Sequence, residues 1–223
     1  LWKDTIEHLA APGQPDRLAE AQAVAEYSDV VLLVVGLDET LEGEEGDTGN
    51  SDASGDKKDL EFPEPQKKLM DQILECKKPV ILVNMTGSAM NLSVAEEKAA
   101  AIIQAWYPGA RGGKAVSDVI FGEKSPSGKL PVTFYKDTSD IPDFEDYSKK
   151  NRTYRYYTGE PLYPFGYGLT YGKCVVNSVT AEKVYGQEKE FKGVKLFIET
   201  ENQKNTETDD VLQVYIKDLD TEY

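Results

Sequence analysis

The chain has 223 residues, with 25 Lys and Arg against 40 Asp and Glu, a formal net charge of −15. That length holds one large or two small domains with a real core, and the acidic excess argues against nucleic acid or an anionic membrane as partner, because phosphates repel it. The longest apolar stretch, residues 30–35, falls far short of the roughly 20 residues of a membrane span. A single histidine and two cysteines are too few for a zinc site or a disulfide framework, and they leave acid–base chemistry to the carboxylates.

In chain order, residues 1–7 carry mixed charge and do not read as a signal peptide, so localisation stays open. Residues 16–27 place Leu18, Ala21 and Ala25 at helical spacing, with Asp16 as N-cap. Residues 29–36 form an apolar strand closed by Gly36. Residues 65–78 read as an amphipathic helix with Leu69, Ile73 and Leu74 on one face and lysines at its end. A second continuous apolar strand follows at 79–85, then a short helix at 94–100 and a third strand at 101–106. Residues 112–121 are a helix stopped by Gly122, residues 125–128 a turn, and residues 130–135 a fourth strand. Helices alternating with unbroken apolar strands predict an α/β sandwich, a mostly parallel sheet covered by helices on both faces.

The expected division is an α/β domain over 1–137, a connecting strap rich in Tyr, Gly and Pro over 138–173, and a β module over 174–223. In that last part apolar residues alternate, as in Val194, Leu196, Ile198 and again in Leu212, Val214, Ile216. With residues 175–181 this predicts about three antiparallel strands, where an immunoglobulin-like sandwich needs about seven. The sequence thus reads as stopping inside such a module.

The charge is concentrated. Residues 37–64 hold 11 acids and 2 lysines, and residues 199–223 hold 8 acids and 2 lysines, which accounts for the whole acidic excess. Glycine-rich phosphate loops do not explain the chain. Pro108-Gly-Ala-Arg-Gly-Gly-Lys114 puts Pro where a Walker A loop begins and Ala115 where it needs Ser or Thr, and Gly166-Tyr-Gly168 lacks a third glycine. The informative stretch opens where the first strand ends: Gly36-Leu-Asp-Glu-Thr-Leu-Glu42-Gly-Glu44-Glu45-Gly-Asp47. Open α/β sheets gather ligands outside the carboxyl ends of their strands. Crowded carboxylates raise one another's pKa, which suits a general acid. The same residues are open to plainer readings, a solvated acidic loop or a cation site using Asp38, Glu42, Glu44 and Asp47.

Gly36-Leu-Asp-x-Thr-Leu-Glu-x-Glu-x-x-Asp47 resembles the acid/base loop of glycoside hydrolase family 3, in its β-glucosidase/β-xylosidase branch. The resemblance runs on through Leu60-Glu-Phe-Pro-Glu-Pro-Gln66, through Pro79-Val-Ile-Leu-Val-Asn-Met-Thr-Gly-Ser-Ala89 and through Ala105-Trp-Tyr-Pro-Gly109. It includes Gly112-Gly-Lys-Ala-Val-Ser-Asp-Val-Ile-Phe-Gly122, Ser125-Pro-Ser-Gly-Lys-Leu-Pro-Val-Thr-Phe134 and Pro161-Leu-Tyr-Pro-Phe-Gly-Tyr-Gly-Leu-Thr-Tyr171. It covers most of residues 26–172, in family order.

The resemblance implies retaining hydrolysis of a β-linked glucoside or xyloside from the non-reducing end, with no cofactor and no metal. Such chemistry uses two carboxylates about 5–5.5 Å apart. It implies a nucleophilic Asp in an N-terminal (β/α)8 barrel absent from this chain, a partner without which the chain is inactive. It also implies a fibronectin type III-like domain beginning after the strap, and a missing first strand in the α/β domain. Glu44, three residues before Asp47, is then the expected acid/base, with Glu42 the alternative. Thr48 stands where the family pattern has Arg, and residues 49–58 read as a longer loop. Trp106 and Tyr107 are candidates for stacking on a sugar ring or, equally, for the strand-end core. The competing reading of the whole is a non-catalytic sugar- or cation-binding α/β module.

Overall fold

A computed structural model describes residues 17–39, 41–43, 57, 59–139, 141–143 and 145–220. The Asp16 cap, Glu44, Glu45, Asp47 and Thr48 lie outside the described residues. The chain divides into two compact units, one of residues 1–116 and 132–165, the other of residues 117–131 and 166–223.

The first unit is built on three parallel strands, β1 (Val31–Gly36), β2 (Val80–Met85) and β3 (Ala101–Gln104), in the order β1-β2-β3. Parallel neighbours need a crossover, and helices supply it: α1 (Arg17–Glu26) precedes β1, α2 (Glu64–Leu74) leads into β2, and α3 (Ser93–Lys98) leads into β3. The register sets Gly36 level with Met85 and Asn84 level with Gln104.

The core follows from the apolar runs. β2 lies in the middle and is buried along most of its length, with Val80, Leu82 and Val83 nearly inaccessible. β1 alternates instead: Leu33 and Val35 are buried, while Leu32 and Val34 are exposed. α2 starts at Pro63 and Pro65, whose fixed φ suits a first turn. It buries Gln66, Met70, Ile73 and Leu74, a stripe at i, i+4, i+7 and i+8. The helix ends at Leu74 with Glu75 as C-cap, so the lysines expected in its last turn lie beyond it.

Gln66 is a polar residue inside that apolar stripe, and its amide has a use there. Its Oε1 accepts from the Gly36 N–H at 2.9 Å, and its Nε2 donates to the Gly36 carbonyl at 2.7 Å. On the edge of β1 that carries no strand among the described residues, the side chain thus does what another strand would do. Gly36 has to be glycine, because a Cβ there would run into the carbonyl of Met85 and lie 2.8 Å from its carbon.

One of the expected strands is not formed and another is shorter than expected. Residues 130–135 do not extend the parallel sheet; Phe134 makes one isolated antiparallel bridge with Tyr163. Pro131 cannot donate to a ladder, which breaks the run before it starts. The third strand ends at Gln104 rather than at 106, since Trp106 adopts φ 55, outside any strand conformation.

The second unit contains one antiparallel hairpin, β4 (Cys174–Tyr185) with β5 (Phe191–Asn202). Its turn is closed by the Gly186 N–H on the Glu190 carbonyl, with Lys189 in the left-handed region at φ 62. Residues 211–217 keep their apolar alternation without pairing as a strand among the described residues, and Ile216 is 96% exposed. Alternation alone makes no strand when the backbone lacks a partner. The same unit ties its loops with the hydroxyls of Ser125, Thr170 and Thr208 and with a Lys129–Asp210 ion pair at 3.0 Å.

Two substitutions test the Gly36 junction. Gln66→Leu leaves two backbone groups unpaired and is expected to cost about 1–3 kcal/mol, read as a fall in Tm. Gly36→Ala is expected to destabilise by a similar amount through overpacking. Unchanged thermal midpoints in both variants would show that this junction contributes nothing.

Candidate functional site

Parallel strands all end on one side, so the segments after β1, β2 and β3 meet there. After β1 the chain folds back at once: the N–H groups of Leu41 and Glu42 both donate to the Asp38 carbonyl, at 2.9 and 2.8 Å. That turn delivers the Glu42 side chain to the segment following β2. Its Oε2 accepts from the Gly87 N–H at 2.8 Å and from the Tyr107 hydroxyl, and its Oε1 accepts from the Ser88 hydroxyl. The Lys57 ammonium lies 3.9 Å from Oε1.

The Glu42 side chain is only 11% exposed. Burial is the largest influence on its carboxyl and raises the pKa. The donors from Ser88, Tyr107 and Gly87 and the charge of Lys57 together outweigh it, so the net shift is downward. The reciprocal effect appears at Tyr107, whose hydroxyl is pushed well above the ordinary tyrosine range by burial and by its bond to the Glu42 carboxylate. Lys57 is lowered by burial, partly offset by Glu42 and Asp59. Glu42 is therefore a carboxylate, with both oxygens occupied.

The floor beneath this arrangement is polar and rigid. Asn84 on β2 is fully buried and donates to the Thr86 hydroxyl at 3.0 Å and to Gln104 Oε1 at 2.6 Å. The Thr86 hydroxyl donates in turn to the Ser88 carbonyl at 2.8 Å. Lys57 donates to the Ala89 carbonyl and to the Met90 sulfur, each at 3.0 Å. Gly87 admits the close approach: a Cβ there would lie 2.7 Å from the Tyr107 ring and 3.2 Å from Glu42 Oε2.

Of the residues expected at the site, Glu42 and Tyr107 are brought together directly. Tyr107 remains 52% exposed, so its ring is open to solvent while its hydroxyl is engaged. Trp106 turns the other way and meets buried Phe134 edge to face, at 6.3 Å between centroids. Gly87, Ser88 and Lys57 were not anticipated. The first two follow the carboxyl end of β2, where the strand-end rule could have flagged them; Lys57 carries no such signal. Among the described residues no group of three or more His, Cys, Asp or Glu could hold a metal ion.

The sign of the Glu42 shift fixes a pH window. A carboxyl held below its unfolded value contributes stability that is complete above the ordinary glutamate value of about 4.5, and that is lost as the pH falls through the lowered folded value. Glu42→Gln is thus expected to be less stable than the parent at pH 7, with the gap closing as the pH falls below about 4.5. Urea unfolding of both at pH 7, 5 and 3.5 measures this. A gap that is constant with pH would mean that the charge of Glu42 is not what its donors hold.

Comparison with known proteins gives this arrangement a family. Residues 4–171 match the sequence model of the glycosyl hydrolase family 3 C-terminal domain. The chain is 40% identical over 195 residues to a xylan 1,4-beta-xylosidase of Xylanibacter ruminicola, covering 85% of this chain and 22% of that protein. It is 32% identical over 212 residues to a periplasmic beta-glucosidase of Salmonella typhimurium, covering 90% of this chain and 26% of that protein. The structure is similar to that of the beta-D-glucoside glucohydrolase of Trichoderma reesei, with a TM-score of 0.66 and 25% identity over 74% of this chain and 24% of that one. The chain therefore spans about a quarter of the length of these relatives, and it belongs to glycosyl hydrolase family 3, as a C-terminal domain.

Proposed function

We propose that this chain is the C-terminal part of a retaining, exo-acting β-glycosidase of the β-xylosidase or β-glucosidase type. Its task in that enzyme is to supply the general acid/base, Glu44, to an active site shared with a barrel that carries the nucleophile. The observation that carries this reading is positional. The carboxylate-rich segment leaves the carboxyl end of β1, and the residue two places before Glu44 is tied to the segments that follow β2 and β3. In an open parallel sheet that is where ligands gather.

The chemistry divides between two carboxylates. The nucleophile attacks the anomeric carbon while Glu44 protonates the departing oxygen. Glu44 then takes a proton from the water that hydrolyses the glycosyl–enzyme. Tyr107, with half its surface exposed beside Glu42, offers a ring face to the sugar. The names of the relatives support either xylose or glucose as the sugar. The same reading extends the sheet to a full sandwich, in which a further layer covers the exposed Leu32 and Val34 side of β1. It also takes the β4–β5 hairpin as the start of a fibronectin type III-like domain over 174–223.

The test is an assay of the whole enzyme on an aryl β-xyloside and an aryl β-glucoside. Glu44→Gln is expected to lower kcat/KM by roughly 10²–10⁴-fold, the usual worth of general acid–base assistance. Residues 1–223 alone are expected to show no turnover. Full activity in both Glu44→Gln and Glu42→Gln, or hydrolysis by the isolated chain, would refute the proposal.

A further inference from the structure

Both ends of the acidic segment are fastened to one turn. At its start Glu42 binds the Gly87 N–H and the Ser88 hydroxyl; at its end Lys57 binds the Ala89 carbonyl and the Met90 sulfur. Glu42 and Lys57 are therefore both held by residues 87–90. Glu42 and Lys57 also face each other across that base at 3.9 Å. The turn itself is not free to shift, since Thr86 and Met90 are fully buried and Asn84 and Gln104 hold Thr86 from the sheet. From above, the Tyr107 hydroxyl closes the remaining side of the carboxylate.

A general acid needs a proton to give and an oxygen free to reach the substrate. Glu42 has neither, as one oxygen takes the Ser88 hydroxyl and the other takes Gly87 and Tyr107. A carboxylate with this many donors is a fixed point, and a fixed point two residues before a catalytic group sets where that group starts from. We infer that Glu42 is a positioning residue, and that Glu42 and Lys57 with the 87–90 turn form an anchor holding both ends of the segment that bears the acid/base. This inference rests on the function proposed above. It assigns to Glu42, Lys57 and Ser88 a role in orienting Glu44 without contact with the substrate.

Azide separates the roles. Where the acid/base carboxylate has been removed, azide attacks the anomeric carbon of the glycosyl–enzyme without needing a general base. The C–N bond forms, the ester bond to the nucleophile breaks, and a β-glycosyl azide is released. In the whole enzyme, Glu44→Ala is expected to yield glycosyl azide and a turnover restored at least about tenfold by azide. Glu42→Ala is expected to lower kcat by about 10–100-fold, the scale of a misplaced catalytic group. It should gain nothing from azide and keep the alkaline limb of the pH profile. Lys57→Met is expected to shift kcat in the same direction, with Lys57→Arg recovering most of the loss.

Glycosyl azide formed by Glu42→Ala and not by Glu44→Ala would overturn the inference and exchange the two glutamates, leaving the proposed function standing. Full activity in both the Glu42 and the Glu44 variant would instead refute the function. Should Glu42→Ala fail to fold, Ser88→Ala and Lys57→Met carry the test. A kcat equal to the parent's in both would overturn the anchor.

Discussion

Parallel pairing is the constraint on which everything else here depends. A parallel sheet sends all its strands out on one side, and the register of β1, β2 and β3 makes those exits level: Gly36 with Met85, Asn84 with Gln104. Only then do residues 42, 87, 88 and 107, far apart in the chain, come within hydrogen-bonding distance. Antiparallel pairing would have scattered the same loops to both ends of the sheet. The Gly36–Gln66 junction holds the exit of β1, by pairing both backbone groups of Gly36 on the edge that carries no strand among the described residues.

A buried carboxylate is costly unless donors replace the water it loses. At Glu42 the replacement is drawn from three kinds of group, a backbone N–H, two hydroxyls and an ammonium, which lie on three different segments. None of those segments can move without leaving a charge unmet. That mutual dependence makes the local arrangement specific: the carboxylate fixes the loops as much as the loops fix the carboxylate.

Much of the first unit was legible in the sequence, because continuous apolar runs such as Val-Ile-Leu-Val at 80–83 have few alternatives to a buried strand. Boundaries set by single backbone angles were not, as Trp106 shows: nothing in its side chain announces φ 55. The run at 130–135 looked like a strand by composition, and Pro131 was the residue that should have counted against it. Alternation at 211–217 was real, but a strand is a property of two segments, and the sequence shows only one. Within the site, the acidic stretch after Gly36 was visible as a charge run. The partners of Glu42 were not, since hydrogen bonds to Gly87 and Tyr107 across 45 and 65 positions leave no local periodicity.

The two sheets differ in how far the chain must travel to close them. β4 meets β5 across a five-residue turn, so each new pair forms beside one already made. β1 meets β2 only after the whole acidic segment and α2 have been looped out, and β3 joins after a further crossover. Long loops lose more entropy on closing and their contacts form more slowly. The hairpin is thus the fast element of this chain and the parallel sheet the slow one. The ring of donors around Glu42 draws on the exits of all three parallel strands, so it can close only when the last of them is in register.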